Sequence, residues 1–191
     1  MLRMAILGLS MTILSACTTA RDALPAPSSL DLQRFMGDWY VIGFIPLFPE
    51  RDAHNGIESY QLKDDGGIAV AYHFRDGSFD APLKTYRPSA TVVEGTANTQ
   101  WKMQFLWPFK ADYRVAYISE DYSETIIGRE KRDYVWLMAR SPQLSEPRYQ
   151  ELLVRIAEMG YDLSEFKRQP QRWPEAQPRP PAFPPDSRRG L

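Results

Sequence analysis

The chain has 191 residues, carries 23 lysines and arginines against 24 acids for a net charge of −1, and is 43% hydrophobic. That balance leaves no electrostatic footprint for nucleic acid. A single cysteine excludes an internal disulfide, and the length suits one domain around one core.

At the N-terminus, Arg3 precedes an uncharged run from Met4 to Leu14, too short to span a bilayer but of signal-peptide length. It leads into Leu14-Ser15-Ala16-Cys17, which resembles the lipobox of bacterial lipoproteins. The resemblance implies that residues 1–16 are a signal peptide and that the Cys17 thiol is acylated, which removes it from thiolate catalysis and metal binding. Thr18, where an aspartate would retain the protein in the inner membrane, implies an outer-membrane lipid anchor, facing the periplasm. Residues 17–29, rich in Ala, Thr, Ser and Pro, are expected to be a lipidated tether. No later segment is long and apolar enough to cross a membrane.

Period-two alternation dominates the next 140 residues or so. Ile68, Val70, Tyr72 and Phe74 share one face of a strand, as do Trp101, Met103, Phe105 and Trp107, and again Tyr113, Val115 and Tyr117. Further strands are expected at 39–45, 57–63, 84–94, 124–129 and 134–140, making eight. Short turns such as Asp64-Asp65-Gly66-Gly67 and Arg75-Asp76-Gly77 separate neighbours, which makes them antiparallel. Eight such strands suit an up-and-down barrel, which removes sheet edges. Pro82 and Pro88 bracket the fourth strand and are expected to delay or kink it.

One helix is clear. Ser145 is its N-cap, Glu146 and Pro147 fill the first turn, Tyr149, Leu152, Leu153 and Ile156 form an apolar stripe, and Gly160 can end it. Such a stripe must lie on something, and the barrel wall is the large surface on offer. A shorter helical turn at Leu30–Met36 could close one barrel end. Residues 169–191 hold seven of the sixteen prolines and few apolar residues, so composition marks them as a Pro/Arg-rich, disordered tail.

Gly37-Asp38-Trp39-Tyr40, opening the first strand, resembles the Gly-x-Trp signature of lipocalins. Ala111-Asp112-Tyr113 falls where lipocalins carry a Thr-Asp-Tyr-like motif, and Arg140 ends the last barrel strand where they carry an arginine. Order and spacing agree over residues 30–168. With the lipobox, Pro108-Phe109 and Arg132-Asp133-Tyr134-Val135-Trp136 are similar to the bacterial outer-membrane lipoprotein branch. The resemblance implies an all-β, eight-stranded antiparallel barrel with a C-terminal α-helix on its wall. It gives Gly37, Trp39 and Arg140 a structural role, with the arginine over the tryptophan at the closed end in a cation–π contact. The ligands it implies are fatty acids such as palmitate, or lysophospholipids, bound for transport or storage without cofactor or metal.

Tyr72, Phe74, Trp101, Met103, Phe105, Tyr113, Tyr117 and Trp136 are the expected ligand-binding residues, since the register above points all of them to one interior. Tyrosine hydroxyls near a mouth could bond a carboxylate or phosphate. Loop 46–56 is expected as a lid, with Leu47 and Phe48 covering the ligand and Arg51 and His54 meeting its head group. Lys84, Arg87 and Arg114 are alternative head-group partners. Enzyme chemistry is not expected: His54 and His73, the two histidines, fall on a mouth loop and an outward strand face, without a nucleophile arrangement or metal-ligand spacing. A second reading is an envelope-assembly lipoprotein with a filled barrel. It would act through the tail or through exposed Ile42 and Phe44, which could equally serve a homodimer.

Overall fold

A computed structural model describes residues 22–46, 50–177 and 179–183. Cys17, Leu47 and Phe48 lie outside the described residues. Ten strands form one sheet: β1 (Gly37–Ile45), β2 (Ala53–Leu62), β3 (Ile68–Asp76), β4 (Leu83–Tyr86), β5 (Ser89–Val92), β6 (Gln100–Leu106), β7 (Phe109–Ile118), β8 (Glu124–Gly128), β9 (Val135–Ala139) and β10 (Lys167–Arg168). Pairing is antiparallel throughout, and β9 returns to β1 from Tyr40↔Ala139 to Ile45↔Val135, which closes the barrel. Both β4 and β5 pair with β3 and together make one barrel strand, interrupted at Arg87-Pro88, where proline has no N–H for the ladder. With the two-residue β10 only an addition alongside β1, the barrel has eight strands, as the alternation indicates.

The short helix α1 (Leu32–Phe35) plugs one end. Asp31 caps it by accepting from the Gln33 and Arg34 N–H groups. Phe35 then packs its ring 5.1 Å from Trp39 and 5.3 Å from both Tyr60 and Trp101. The Arg140 guanidinium sits 3.7 Å above the Trp39 ring and donates to the carbonyls of Arg34, Phe35, Met36 and Asp38. These include carbonyls that the end of α1 leaves without intrahelical partners. Gly37 follows with φ +93°, a left-handed conformation that a side chain would strain, and a Cβ there would face Arg140 Nη1 at 3.5 Å. The helix α2 (Glu146–Glu158) buries Tyr149, Leu152 and Ile156 against the outer wall. Arg148 fastens it to the wall by bonding Glu124 at 2.6 Å and the Tyr117 hydroxyl at 3.0 Å.

Bulges move several residues off the faces that strict alternation assigns them. One between Val115 and Tyr117 turns Tyr117 outward, under α2, with Arg155 4.5 Å over its ring. Another between Val41 and Gly43 accompanies a corrected first strand: Ile42 is covered by the outer cluster and Phe44 lies in the barrel interior, so neither is exposed. Past Met103 the β6–β7 register also shifts, and Phe105 is left half exposed at the barrel rim.

The described residues that flank the barrel make more contacts than composition suggests. In the segment expected to be tether, Leu24 is buried against Ile126 and the α2 cluster, and its N–H donates to Glu130. Beyond α2, the expected tail is instead laid into the barrel. β1 pairs with β2 only over Gly37–Tyr40 and with β10 at Gly43 and Phe44, and the chain continues between the two strands. The Gln169 N–H donates to the Ile42 carbonyl and the Asn55 N–H to the Pro170 carbonyl. Buried Gln169 accepts from the Gly56 N–H at 2.6 Å and donates to the Tyr72 hydroxyl, an approach possible because Gly56 has no Cβ to meet it.

Farther on, Glu175 accepts from Arg75, Arg179 and Asn55, and Trp173 packs 5.2 Å from Tyr40. Hydrogen bonds and ion pairs hold this segment where apolar burial is scarce, and prolines reduce the entropy lost in ordering it. Burial alone would raise the Glu175 carboxyl, but the bonds from Arg179, Arg75 and Asn55 outweigh it and bring it down to about 2. Glu175→Ala would leave Arg75 buried without its carboxylate. It should cost about 1–3 kcal/mol and open cleavage by trypsin after Arg172, read by mass spectrometry of limited digests. Unchanged protection would show that the ion pairs do not hold the segment.

Candidate functional site

Above the closed end the barrel holds a cavity of about 490 Å³. Tyr72 from β3, Tyr134 just before β9 and Trp136 within it, Tyr86 at the end of β4 and Phe105 from β6 give it an aromatic wall, with Tyr72 and Tyr134 4.8 and 5.7 Å from Trp136. Thr85, Arg87, Pro88, Glu50 and Glu58 complete the lining. A smaller void of about 100 Å³ adjoins it, sharing Glu58, Phe105 and Tyr134 and reaching Met103 and Tyr113. Tyr86, Arg87 and Phe105 are the exposed members of the lining, so the opening lies between β4 and the end of β6. Among the described residues β4 pairs only with β3, which leaves that edge uncovered. A groove of about 470 Å³ outside the barrel, between Ile42, Leu144, Tyr149 and Arg168, is a seam between helix and wall with more polar boundaries.

The cavity floor is polar. Glu58 faces Tyr72 across β2–β3 and is 3% exposed. The Tyr60 hydroxyl donates to Glu58 Oε2, and the Tyr113 hydroxyl bonds the Tyr60 oxygen. Desolvation, with the nearby Glu50 charge adding to it, raises the Glu58 carboxyl from 4.5 to about 8 against the lowering effect of Tyr60. At neutral pH Glu58 therefore holds its proton. Burial likewise pushes the hydroxyls of Tyr60, Tyr72, Tyr113 and Tyr134 upward, so they remain protonated. Trp136 Nε1 is a buried donor without a hydrogen-bond partner among the described residues.

Of the expected ligand residues, Tyr72, Phe105 and Trp136 line the main cavity, and Met103 and Tyr113 the adjoining void. Phe74 stacks behind Tyr72 at 4.8 Å. Trp101 belongs to the closed end, stacked on Tyr113 at 5.0 Å with its indole N–H donating to the Asn98 carbonyl. Tyr117 is outside the barrel, as described above. The lid candidates that are described, Arg51 and His54, also part company with the site. His54 Nδ1 bonds the Asp52 carbonyl and its ring packs on Phe79, while Arg51 is exposed; neither lines the cavity. Among the head-group alternatives, Arg87 does line it, whereas Lys84 pairs with Asp76 and Arg114 with Glu130. Glu50 and Glu58 were not foreseen, although Glu58, Tyr60 and Leu62 share the alternation of β2 with an acid out of place on the inner face.

The Lipocalin-like domain family model matches residues 30–171. The chain is a lipocalin. Temperature-induced lipocalin-1 of Arabidopsis thaliana is 30% identical over 162 residues, covering 80% of this chain and 86% of that protein. Outer membrane lipoprotein Blc of Escherichia coli K12 is 29% identical over 143 residues, covering 73% of this chain and 78% of the lipoprotein. Among solved structures, insecticyanin of the tobacco hornworm Manduca sexta superposes with a TM-score of 0.63 at 17% identity, over 82% of this chain and 88% of that one. In this lipocalin the Gly37, Trp39 and Arg140 constellation closes the barrel end opposite the cavity mouth.

Proposed function

We propose that this lipocalin is a binding protein for fatty acids or lysophospholipids, held by an acyl anchor on Cys17 at the periplasmic face of the outer membrane. The observation that carries the reading is the aromatic cavity inside the barrel, whose size is in the range of small-ligand sites. An acyl chain entering between β4 and β6 would exchange water for Tyr72, Tyr134, Trp136 and Phe105, gaining about 0.8 kcal/mol per buried CH₂ before the entropic costs of association. Its tail would reach a neutral, protonated Glu58 rather than a carboxylate, and its head group would remain near Arg87 at the mouth. The lipobox, and relatives named as outer membrane lipoproteins, support the membrane address. Both histidines are engaged away from the cavity, in keeping with binding rather than catalysis.

Native mass spectrometry tests the reading on protein beginning at Thr18, which retains every contact described above. Titration with palmitate and with lysophospholipids should give one-to-one adducts. Met103→Trp, which adds bulk beside Glu58 and Tyr113, should weaken them at least about tenfold, the loss of one to two kcal/mol of acyl burial. Absence of any adduct would mean that the barrel does not accept lipid. Adducts unchanged in Met103→Trp would place the lipid elsewhere.

A further inference from the structure

Beside the cavity mouth, β6 and β7 meet in a two-residue turn at Trp107-Pro108, with Leu106 opposite Phe109. Four large apolar side chains there face solvent: Phe105 is 58% exposed, Leu106 71%, Trp107 82% and Phe109 74%. Among the described residues the other exposed large hydrophobics are Tyr86 and Val154, and Tyr86 also lies on the mouth. A cluster of this kind on a hairpin tip is not explained by the barrel, since among the described residues Leu106, Trp107 and Phe109 stay largely exposed.

The geometry points to this hairpin tip as a second membrane contact, one that seats the cavity mouth on an anionic phospholipid bilayer independently of the acyl anchor.

Three observations select a bilayer as the occupant. First, the tip is a narrow protrusion carrying an indole and two phenyl rings, a composition suited to the interfacial zone of a membrane, and Lys110 follows it directly, whereas Lys102 on the neighbouring strand is paired with Asp112. Second, Phe105 belongs to both the tip and the cavity lining, so a bilayer at the tip is continuous with the route into the barrel. A water-insoluble ligand would then cross from membrane to cavity without passing through water. Third, the chain enters the fold at the same end. The Asp22 carbonyl accepts from Arg132 in the β8–β9 turn, and β8–β9 turns at the end of the barrel opposite α1 and Arg140, where β6 and β7 also turn. Cys17 is five residues before Asp22, a reach of at most about 18 Å of extended chain. An anchor on Cys17, the reading proposed above, would therefore hold the mouth toward the membrane rather than away from it.

Vesicle flotation of unacylated protein beginning at Thr18 separates the tip from the anchor. Vesicles of phosphatidylethanolamine with phosphatidylglycerol should carry the protein upward, more so as the phosphatidylglycerol fraction rises. Trp107→Ser/Phe109→Ser should weaken this at least about tenfold, given the apolar surface removed, while leaving thermal unfolding and lipid capture by native mass spectrometry unchanged. Brominated lipids should quench the fluorescence of the parent protein and not of the variant. Failure of the parent protein to float, or equal flotation of the variant, overturns the inference. A dimer in sedimentation velocity that the double substitution abolishes, without vesicle binding, overturns it in favour of contact between copies. Flotation with no lipid adduct would leave the membrane contact standing and remove the proposed cargo.

Discussion

Trp39→Ala should lower the free energy of unfolding by about 3–5 kcal/mol, measured by urea denaturation, while the folded fraction keeps its lipid stoichiometry. The side chain is wholly buried, its indole N–H donates to the Phe35 carbonyl at 2.8 Å, and its ring supports the Arg140 guanidinium. Truncation removes a large aromatic from a site that α1 and Tyr60 cannot collapse to fill, because Phe35 is already pinned among three rings. It also strips the guanidinium of its π face. Arg140→Lys isolates that second part: one ammonium cannot reach four carbonyls or lie flat on an indole, and a loss of about 1–3 kcal/mol should follow. If Trp39→Ala instead abolished lipid capture at full stability, the closed end would be part of the ligand site.

Barrel, helix and closed end are legible in the sequence because each is written in local pattern. Alternation fixes which of Ile68 through Phe74 share a face, Ser145 and Gly160 bound the helix, and Gly37, Trp39 and Arg140 share a motif whose partners lie at strand ends. What fails is what alternation cannot express. One extra residue near Ala116 reverses the facing of Tyr117, and no residue type there announces it. The course of 167–183 escapes for a different reason. Composition measures the capacity to bury apolar surface, whereas this segment is held by Gln169, Glu175 and Arg179 bonding to strand edges that β1 and β2 leave open. The acidic floor was accessible in principle. Glu58 between Gly56 and Tyr60 on an inward face is an anomaly in a lipid-binding barrel, visible once β2 is assigned a face.

That anomaly gives the second large effect, a stability and an affinity that both bend with pH. The carboxyl of Glu58 titrates near 4.5 when the chain is unfolded and near 8 when folded. Between those values the native state holds a proton that the unfolded state has released, so stability falls as pH rises. The contribution is complete below about pH 4.5 and gone once pH passes about 8, a change of roughly 2–5 kcal/mol. Glu58→Gln, which presents a neutral group to Tyr60 at every pH, should flatten this slope in thermal and urea unfolding. The surrounding hydroxyls of Tyr60, Tyr72, Tyr113 and Tyr134 are pushed upward and do not titrate in the window, while Glu50, by its charge, helps hold the Glu58 proton in place.

An acyl tail against Glu58 desolvates it further, so bound lipid should favour the protonated form. Affinity should then fall above about pH 8, approaching tenfold per pH unit, and Glu58→Gln should abolish the fall. Affinity flat to pH 9.5 in the parent protein, with stability sloping between about pH 4.5 and 8, would mean that the lipid stops short of the floor and lies wholly against Tyr86, Phe105 and Trp136. A shared bend in both curves, lost in one substitution, would instead place one proton at the contact between acyl chain and barrel floor.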